Sequence, residues 1–138
     1  MSDRTLNILL VEDDEVDVMN VRRAFERNNV SNPLYVAGNG LEALEMLRDG
    51  TVPTERRLIL LDLNMPKMNG IEFLQALRAD PELSSAPVVV LTTSNDDQDK
   101  IDAYNLNVAG YLLKPVTFSN FCERMTTLNK YWMLVEMP

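Results

Sequence analysis

Five short apolar runs, each followed by a longer segment with polar residues, limit what this chain can become more than any other feature. Leu6 to Val11, Leu34 to Ala37, Leu58 to Leu63, Val88 to Thr92 and Ala109 to Leu113 read as strands. Between them, Asp14 to Asn28 carries Val18, Val21 and Phe25 at helical spacing. Leu41 to Leu47 and Ile71 to Arg78 read as the second and third helices, Asn95 to Asn105 as a polar fourth, and a last helix starts near Thr117. The third helix is expected to stop near Asp80-Pro81, because proline pushes the residue before it out of the helical region. Strands that are apolar on both faces and alternate with helices specify a parallel sheet covered on both sides. Crossovers in such a sheet are right-handed. The expected architecture is a doubly wound α/β domain with a five-stranded parallel sheet in the order 2-1-3-4-5 and helices on both faces. A length of 138 residues suits one such domain spanning 1–138, with its core at about 6–130 and an apolar tail at 131–138.

Composition removes several classes of function. A formal charge of −8 argues against nucleic acid, whose phosphates need a basic face. Cys122 is the only cysteine and histidine is absent, which excludes an internal disulfide, a thiolate or imidazole metal site, and Ser-His-Asp or Cys-His catalysis. No apolar run reaches the roughly 18 residues of a membrane span. The polar stretch from Met1 to Leu6 lacks a signal-peptide pattern, so the expected location is cytoplasmic.

In the order 2-1-3-4-5, strands one and three lie side by side where the winding reverses, and ligands bind beyond their carboxyl ends. Strand one ends in Glu12, Asp13 and Asp14, strand three in Asp62, strand four in Thr92 and strand five in Lys114. Carboxylates gathered at one point repel unless a proton or a cation intervenes. Oxygen-only ligands select a hard cation, and few protein ligands with several waters suit Mg²⁺. Asp13 and Asp62 are the expected direct ligands, the Asn64 backbone carbonyl a third, and Glu12 a ligand through water. Asp14 has an equal claim to being a helix N-cap. A carboxylate can also be the nucleophile in phosphoryl transfer, a reaction that depends on positioning and on neutralising the equatorial oxygens. Asp62, the carboxylate at the end of the middle strand, is the natural acceptor. Thr92 and Lys114 would each face a phosphoryl oxygen.

The stretches "ILLVEDDEVD", "LILLDLNMPKMNGIEFL", "VVVLTTS" and "GYLLKP" resemble the receiver domains of response regulators in two-component signalling, a flavodoxin-like fold. The resemblance runs from about Leu6 to Leu128. It implies that Glu12 and Asp13 are the acidic metal pair, Asp62 the phosphoacceptor, Thr92 the switch hydroxyl, Tyr111 the switch aromatic and Lys114 the family's lysine. It also implies a cis peptide at Lys114-Pro115. "SNPLYVAGNGLEALEMLR", "DPELSSAPVVVLTTS" and "YWMLVEMP" resemble the single-domain regulators that pair with bacterial phytochromes. That implies a phytochrome-type histidine kinase as phosphoryl donor, Mg²⁺ as cofactor, a non-enzymatic role, and output through a separate, unnamed effector. In the mechanism so implied, Thr92 moves toward the phosphoryl group, Tyr111 turns inward, and the face built by helix four, strand five and helix five changes shape.

Phe118, Phe121, Met125, Leu128, Trp132 and Val135 recur at alternating three- and four-residue spacing, and Leu134 lies beside the last two. The first four make an ordinary sheet-facing stripe. An apolar end continuing past it suggests an interaction surface, here for a homodimer through the helix-four to helix-five face. Three other functions are weaker. A haloacid-type phosphohydrolase would need a second Asp where Asn64 stands. A flavin carrier would not place Glu12-Asp13-Asp14 where phosphate must sit. A constitutive scaffold of the same fold would have no use for the acidic cluster.

Overall fold

The computed structural model describes residues 6–65 and 68–114, together with Asn120 and Glu123. Chain order is β1 (Asn7–Val11), α1 (Glu15–Arg27), β2 (Leu34–Ala37), α2 (Gly40–Arg48), β3 (Arg57–Leu61), α3 (Gly70–Ala79), β4 (Val88–Thr92), α4 (Asp97–Asn105) and β5 (Gly110–Leu113). All strand pairs are parallel, in the order β2-β1-β3-β4-β5, as the alternating pattern implied. Asn120 and Glu123 are helical, within the expected last helix; the rest of that helix, the expected cis peptide at Pro115 and the apolar residues Phe118, Phe121, Met125, Trp132 and Leu134 lie outside the described residues.

The sheet is buried because its side chains alternate between two apolar layers. Leu9, Val11, Ile59, Leu61, Val88 and Val90 face one layer, with Ala43, Leu44, Leu47, Phe73, Leu74 and Leu77 from α2 and α3. Ile8, Leu10, Leu58, Leu60 and Leu91 face the other, with Val21 and Phe25 from α1. Every described helix begins at an Asx cap: Asp14, Asn39, Asn69 and Asp96 accept backbone N–H groups of the first turn. Asn69 and Glu72 form a complete capping box that fixes the entry into α3. The expected start of α4 at Asn95 moves to Asp97, because Asp96 adopts an extended backbone and caps the N–H groups of Gln98 and Asp99.

Two arginines, Arg57 buried and Arg78 half-buried, lock the end of the sheet opposite the site. Arg57 donates to the carbonyls of Leu47, Val52 and Pro53, holding the end of α2. Arg78 donates to the carbonyls of Ser84, Ala86, Leu106 and Asn107, which ties α3 to the entry of β4 and the end of α4.

Candidate functional site

Ladder hydrogen bonds continue one residue beyond the strands and place the site. Glu12 N–H donates to Ala37 O at 2.9 Å, Asp62 N–H to Val11 O at 3.1 Å, and Lys114 N–H to Thr92 O at 2.9 Å. These residues are therefore carried by the sheet rather than by free loops. Gly70 closes the loop after β3 behind Asp62. A Cβ there would lie 2.6 Å from Leu63 Cα and 2.7 Å from the Asp62 carbonyl oxygen, so α3 can approach this closely only with glycine at its start.

Glu12, Asp13 and Asp62 each offer a carboxylate oxygen, and these oxygens lie within 4.8 Å of one another. An all-oxygen donor set on that scale fits a hard divalent cation. Glu12 and Asp62 are buried, while Asp13 is exposed and leaves the cluster open to water. Asp14 is not part of the cluster: its carboxylate caps α1 by accepting from Val16 and Asp17.

Lys114 reaches in from the end of β5. Its ammonium donates to Glu12 Oε1 and, at 2.9 Å, to Asp17 Oδ2 on the first turn of α1. It stands 3.7 Å from Asp62 Oδ2, beyond hydrogen-bond length. The other Asp62 oxygen, Oδ1, accepts from the Asn64 N–H at 3.2 Å. Burial pushes the Glu12 carboxyl up to about 7; Lys114 opposes the rise and the charge of Asp62 adds to it. For Lys114, burial alone would lower the pKa, but hydrogen bonds to Glu12 and Asp17 and the charge of Asp62 outweigh it and the value rises. The rise at Lys114 thus reports the carboxylates around it, whereas the rise at Glu12 comes first from burial.

Thr92 is fully buried at the end of β4, and its Oγ1 accepts from the Ser94 N–H at 3.2 Å. Ser94 connects three elements. Its hydroxyl donates to Asp99 on α4 at 2.6 Å, and its carbonyl accepts the Tyr111 hydroxyl at 2.9 Å. Tyr111 is half-buried against the α2–α3 layer, with the Lys100 ammonium 6.0 Å from its ring centre. Burial raises the Tyr111 pKa, the bond to Ser94 lowers it, and Asp99, Asp96 and Asp62 raise it further.

The sequence profile of the response regulator receiver domain matches residues 8–126. The chain belongs to this family. It is 38% identical over 128 residues to the probable methanogenesis regulatory protein FilR2 of Methanothrix harundinacea, covering 91% of this chain and 83% of that one. It is 36% identical over 129 residues to the response regulator Rcp1 of Synechocystis, covering 91% and 88%. The Mn²⁺-bound structure of Rcp1 superposes with a TM-score of 0.74. The phosphorylated cyanobacterial phytochrome response regulator RcpA superposes with a TM-score of 0.77 at 33% identity, over 97% of this chain and 99% of that one.

In this receiver domain the strand-end residues named from sequence do converge: Glu12, Asp13, Asp62 and Lys114 share one cluster, with Thr92 on the strand beside Asp62. Asp17 is the member that reading missed. It closes the quoted "EDDEVD" block one turn into α1, a position that looks like ordinary solvated helix until Lys114 is placed beside it.

Proposed function

We propose that this chain is a phosphoryl-accepting switch in two-component signalling, a single receiver domain over 1–138 that takes its phosphoryl group on Asp62. The observation that carries this reading is the state of Asp62 Oδ2. It is buried at the middle strand end, near both a carboxylate cluster and an ammonium, yet Lys114 stops 3.7 Å away from it. Asp62 Oδ2 attacks the phosphorus of a phosphohistidine. The P–N bond breaks, and its electron pair leaves with the imidazole of the donor. Glu12, Asp13, Asp62 and the Asn64 carbonyl would hold Mg²⁺, which when bound supplies positive charge to the transferring oxygens. Lys114 meets a second oxygen of the phosphoryl group, and the Thr92 hydroxyl a third once it leaves Ser94.

The Thr92-Ser94-Tyr111 chain of contacts supports a switch, because a move of Thr92 toward the phosphoryl group disturbs Ser94 and with it both Tyr111 and Asp99. The α4 and β5 face is the readout surface. Ile101 and Tyr104 stand 53% exposed on α4, which supports a homodimer or effector docking there. Light scattering on the full chain tests the dimer, which a monomer mass removes; deleting Trp132 to Pro138 tests the tail's part in it, which an unchanged mass removes. The donor is a sensor histidine kinase, and similarity to Rcp1 and RcpA favours a phytochrome-type one in the cytoplasm. Among the described residues no helix is long and apolar enough to cross a membrane.

The deciding experiment is intact mass after incubation with Mg²⁺ and acetyl phosphate, beside an Asp62→Asn variant. An adduct of about 80 Da on the wild type alone establishes the acyl phosphate. No adduct on folded, Mg²⁺-supplied protein leaves a constitutive scaffold of the same fold.

A further inference from the structure

Asp17 is given no site role by the motif it closes, yet among the described residues it accepts one of the two hydrogen bonds of the Lys114 ammonium. Its side chain is 32% exposed, while that of Lys114 is only 12% exposed, so the pair lies at the wall of the cleft rather than in open solvent. Asp17 is itself rigidly placed. Its backbone N–H is bound by the Asp14 cap, and the first turn of α1 begins directly after the acidic strand end.

An ammonium has three donors and no acceptor. In this cluster two are directed at Glu12 Oε1 and Asp17 Oδ2, and the ammonium halts 3.7 Å from Asp62 Oδ2. Without the Asp17 charge, Asp62 Oδ2 is the nearest anionic oxygen beyond Glu12. Closing to the length of a charge-assisted hydrogen bond takes a movement of about 1 Å. A carboxylate oxygen so engaged has its lone pair tied to a cation and must lose that bond before it attacks phosphorus.

We propose that Asp17 is a positioning residue for phosphoryl transfer: it holds Lys114 on the α1 side of the cleft, leaving Asp62 Oδ2 free to attack and the ammonium one short step from the incoming phosphoryl oxygen. This rests on the reading of Asp62 as the phosphoacceptor. The role belongs to the chemistry step and not to metal binding, since Asp17 does not share the carboxylate cluster of Glu12, Asp13 and Asp62.

The test measures phosphorylation rates with acetyl phosphate at saturating Mg²⁺ in wild type, Asp17→Asn, Asp17→Glu, Lys114→Ala and the Asp17→Asn/Lys114→Ala double variant. Asp17→Asn should slow phosphorylation roughly ten- to a hundredfold, the size of one charge-assisted hydrogen bond to the nucleophile. Mg²⁺ half-saturation should stay within about twofold, and Asp17→Glu should recover most of the rate. In the Lys114→Ala background, Asp17→Asn should have no further effect, because the effect runs through the ammonium. A metal-free crystal structure of Asp17→Asn should show the Lys114 ammonium at about 2.8 Å from Asp62. A wild-type rate in Asp17→Asn overturns the proposal, and so does an equal slowing with Lys114 absent, which would mark a merely structural role. If the wild type accepts no phosphoryl group at all, the phosphoacceptor reading fails first and this proposal falls with it.

Discussion

For the cation proposed at this cluster, the raised pKa of Glu12 should make affinity depend on pH near neutrality. Burial holds this carboxyl at about 7, and a cation bound through its charge must displace the proton. For one group titrating at that value, about one tenth of molecules are ionised at pH 6 and about nine tenths at pH 8. Apparent Mg²⁺ affinity should therefore rise roughly tenfold between those values, equivalent to about 1.4 kcal/mol. The same group links metal-free stability to pH with the opposite sense. Its folded pKa lies above its ordinary 4.5, so the folded state binds the proton more tightly than the unfolded chain. The stabilisation is complete below about 4.5 and is lost as pH rises through about 7, a loss of about 1–3 kcal/mol after allowing for water at the cleft mouth. Titration calorimetry with Mg²⁺ at pH 6, 7 and 8, in two buffers of different ionisation heat, measures both affinity and proton release. Wild type should release close to one proton per ion at pH 6 and little at pH 8. Glu12→Gln should bind more weakly and without the slope. A flat wild-type affinity, or the same slope in Glu12→Gln, would refute the assignment of the titrating group to Glu12.

Three other perturbations follow from contacts described above. Arg78→Met strips the guanidinium from the carbonyls of Ser84, Ala86, Leu106 and Asn107 and should cost about 2–4 kcal/mol in urea unfolding; an unchanged midpoint would mean water replaces those bonds without loss. Gly70→Ala puts a methyl 2.6 Å from Leu63 Cα, against backbone that cannot rotate away, and should cost about 2 kcal/mol or more while disturbing Asp62. A wild-type melting temperature for that variant contradicts the packing argument. Thr92→Ala should remain folded and still accept phosphoryl on Asp62, but amide shifts in α4 should no longer respond to phosphorylation. Wild-type shift changes in that variant would remove the switch role.

The order of strands was legible because alternation of apolar runs with helical segments leaves few topologies, and β2 and β4 have the residue bounds read from the sequence. Elsewhere the bounds moved for local reasons. β3 begins at Arg57, a charge that hides a strand start in any hydropathy reading; its guanidinium is bonded to three carbonyls and the residue is buried. The same strand ends at Leu61 rather than Leu63, because the backbone turns at Asp62 to give Asn64 N–H to the carboxylate. Site residues at strand ends were legible because parallel topology gathers the carboxyl ends whatever the side chains do. Asp17 was not, because its role depends on a lysine 97 positions away that enters from another strand. Arg57 and Arg78 were equally opaque, since nothing in a sequence marks an arginine whose partners are backbone carbonyls.

The charge pattern bears on the order of events in the phosphoryl transfer proposed for Asp62. Glu12, Asp17 and Asp62 lie around the Lys114 ammonium and Asp13 joins the carboxylate cluster, a formal excess of negative charge among the described residues in a cleft whose two central carboxylates are buried. Such a cluster repels a phosphoryl donor, which is itself anionic. A divalent cation held by this cluster would remove most of that excess before a donor arrives. Phosphorylation of Asp62 would then add about 0.5 to 1 negative charge, since the group would carry about −1.5 to −2 in place of the carboxylate's −1. Lys114 and the cation must share that added charge, which Lys114 can do only by loosening its bond to Glu12 or to Asp17. The Glu12 bond is the one that cation binding already weakens, because both compete for the same carboxylate. Asp17 is then the last restraint on the ammonium. On the proposed role of Asp17, its strength would set how far Lys114 travels toward the phosphoryl group, and so how long the phosphorylated state persists.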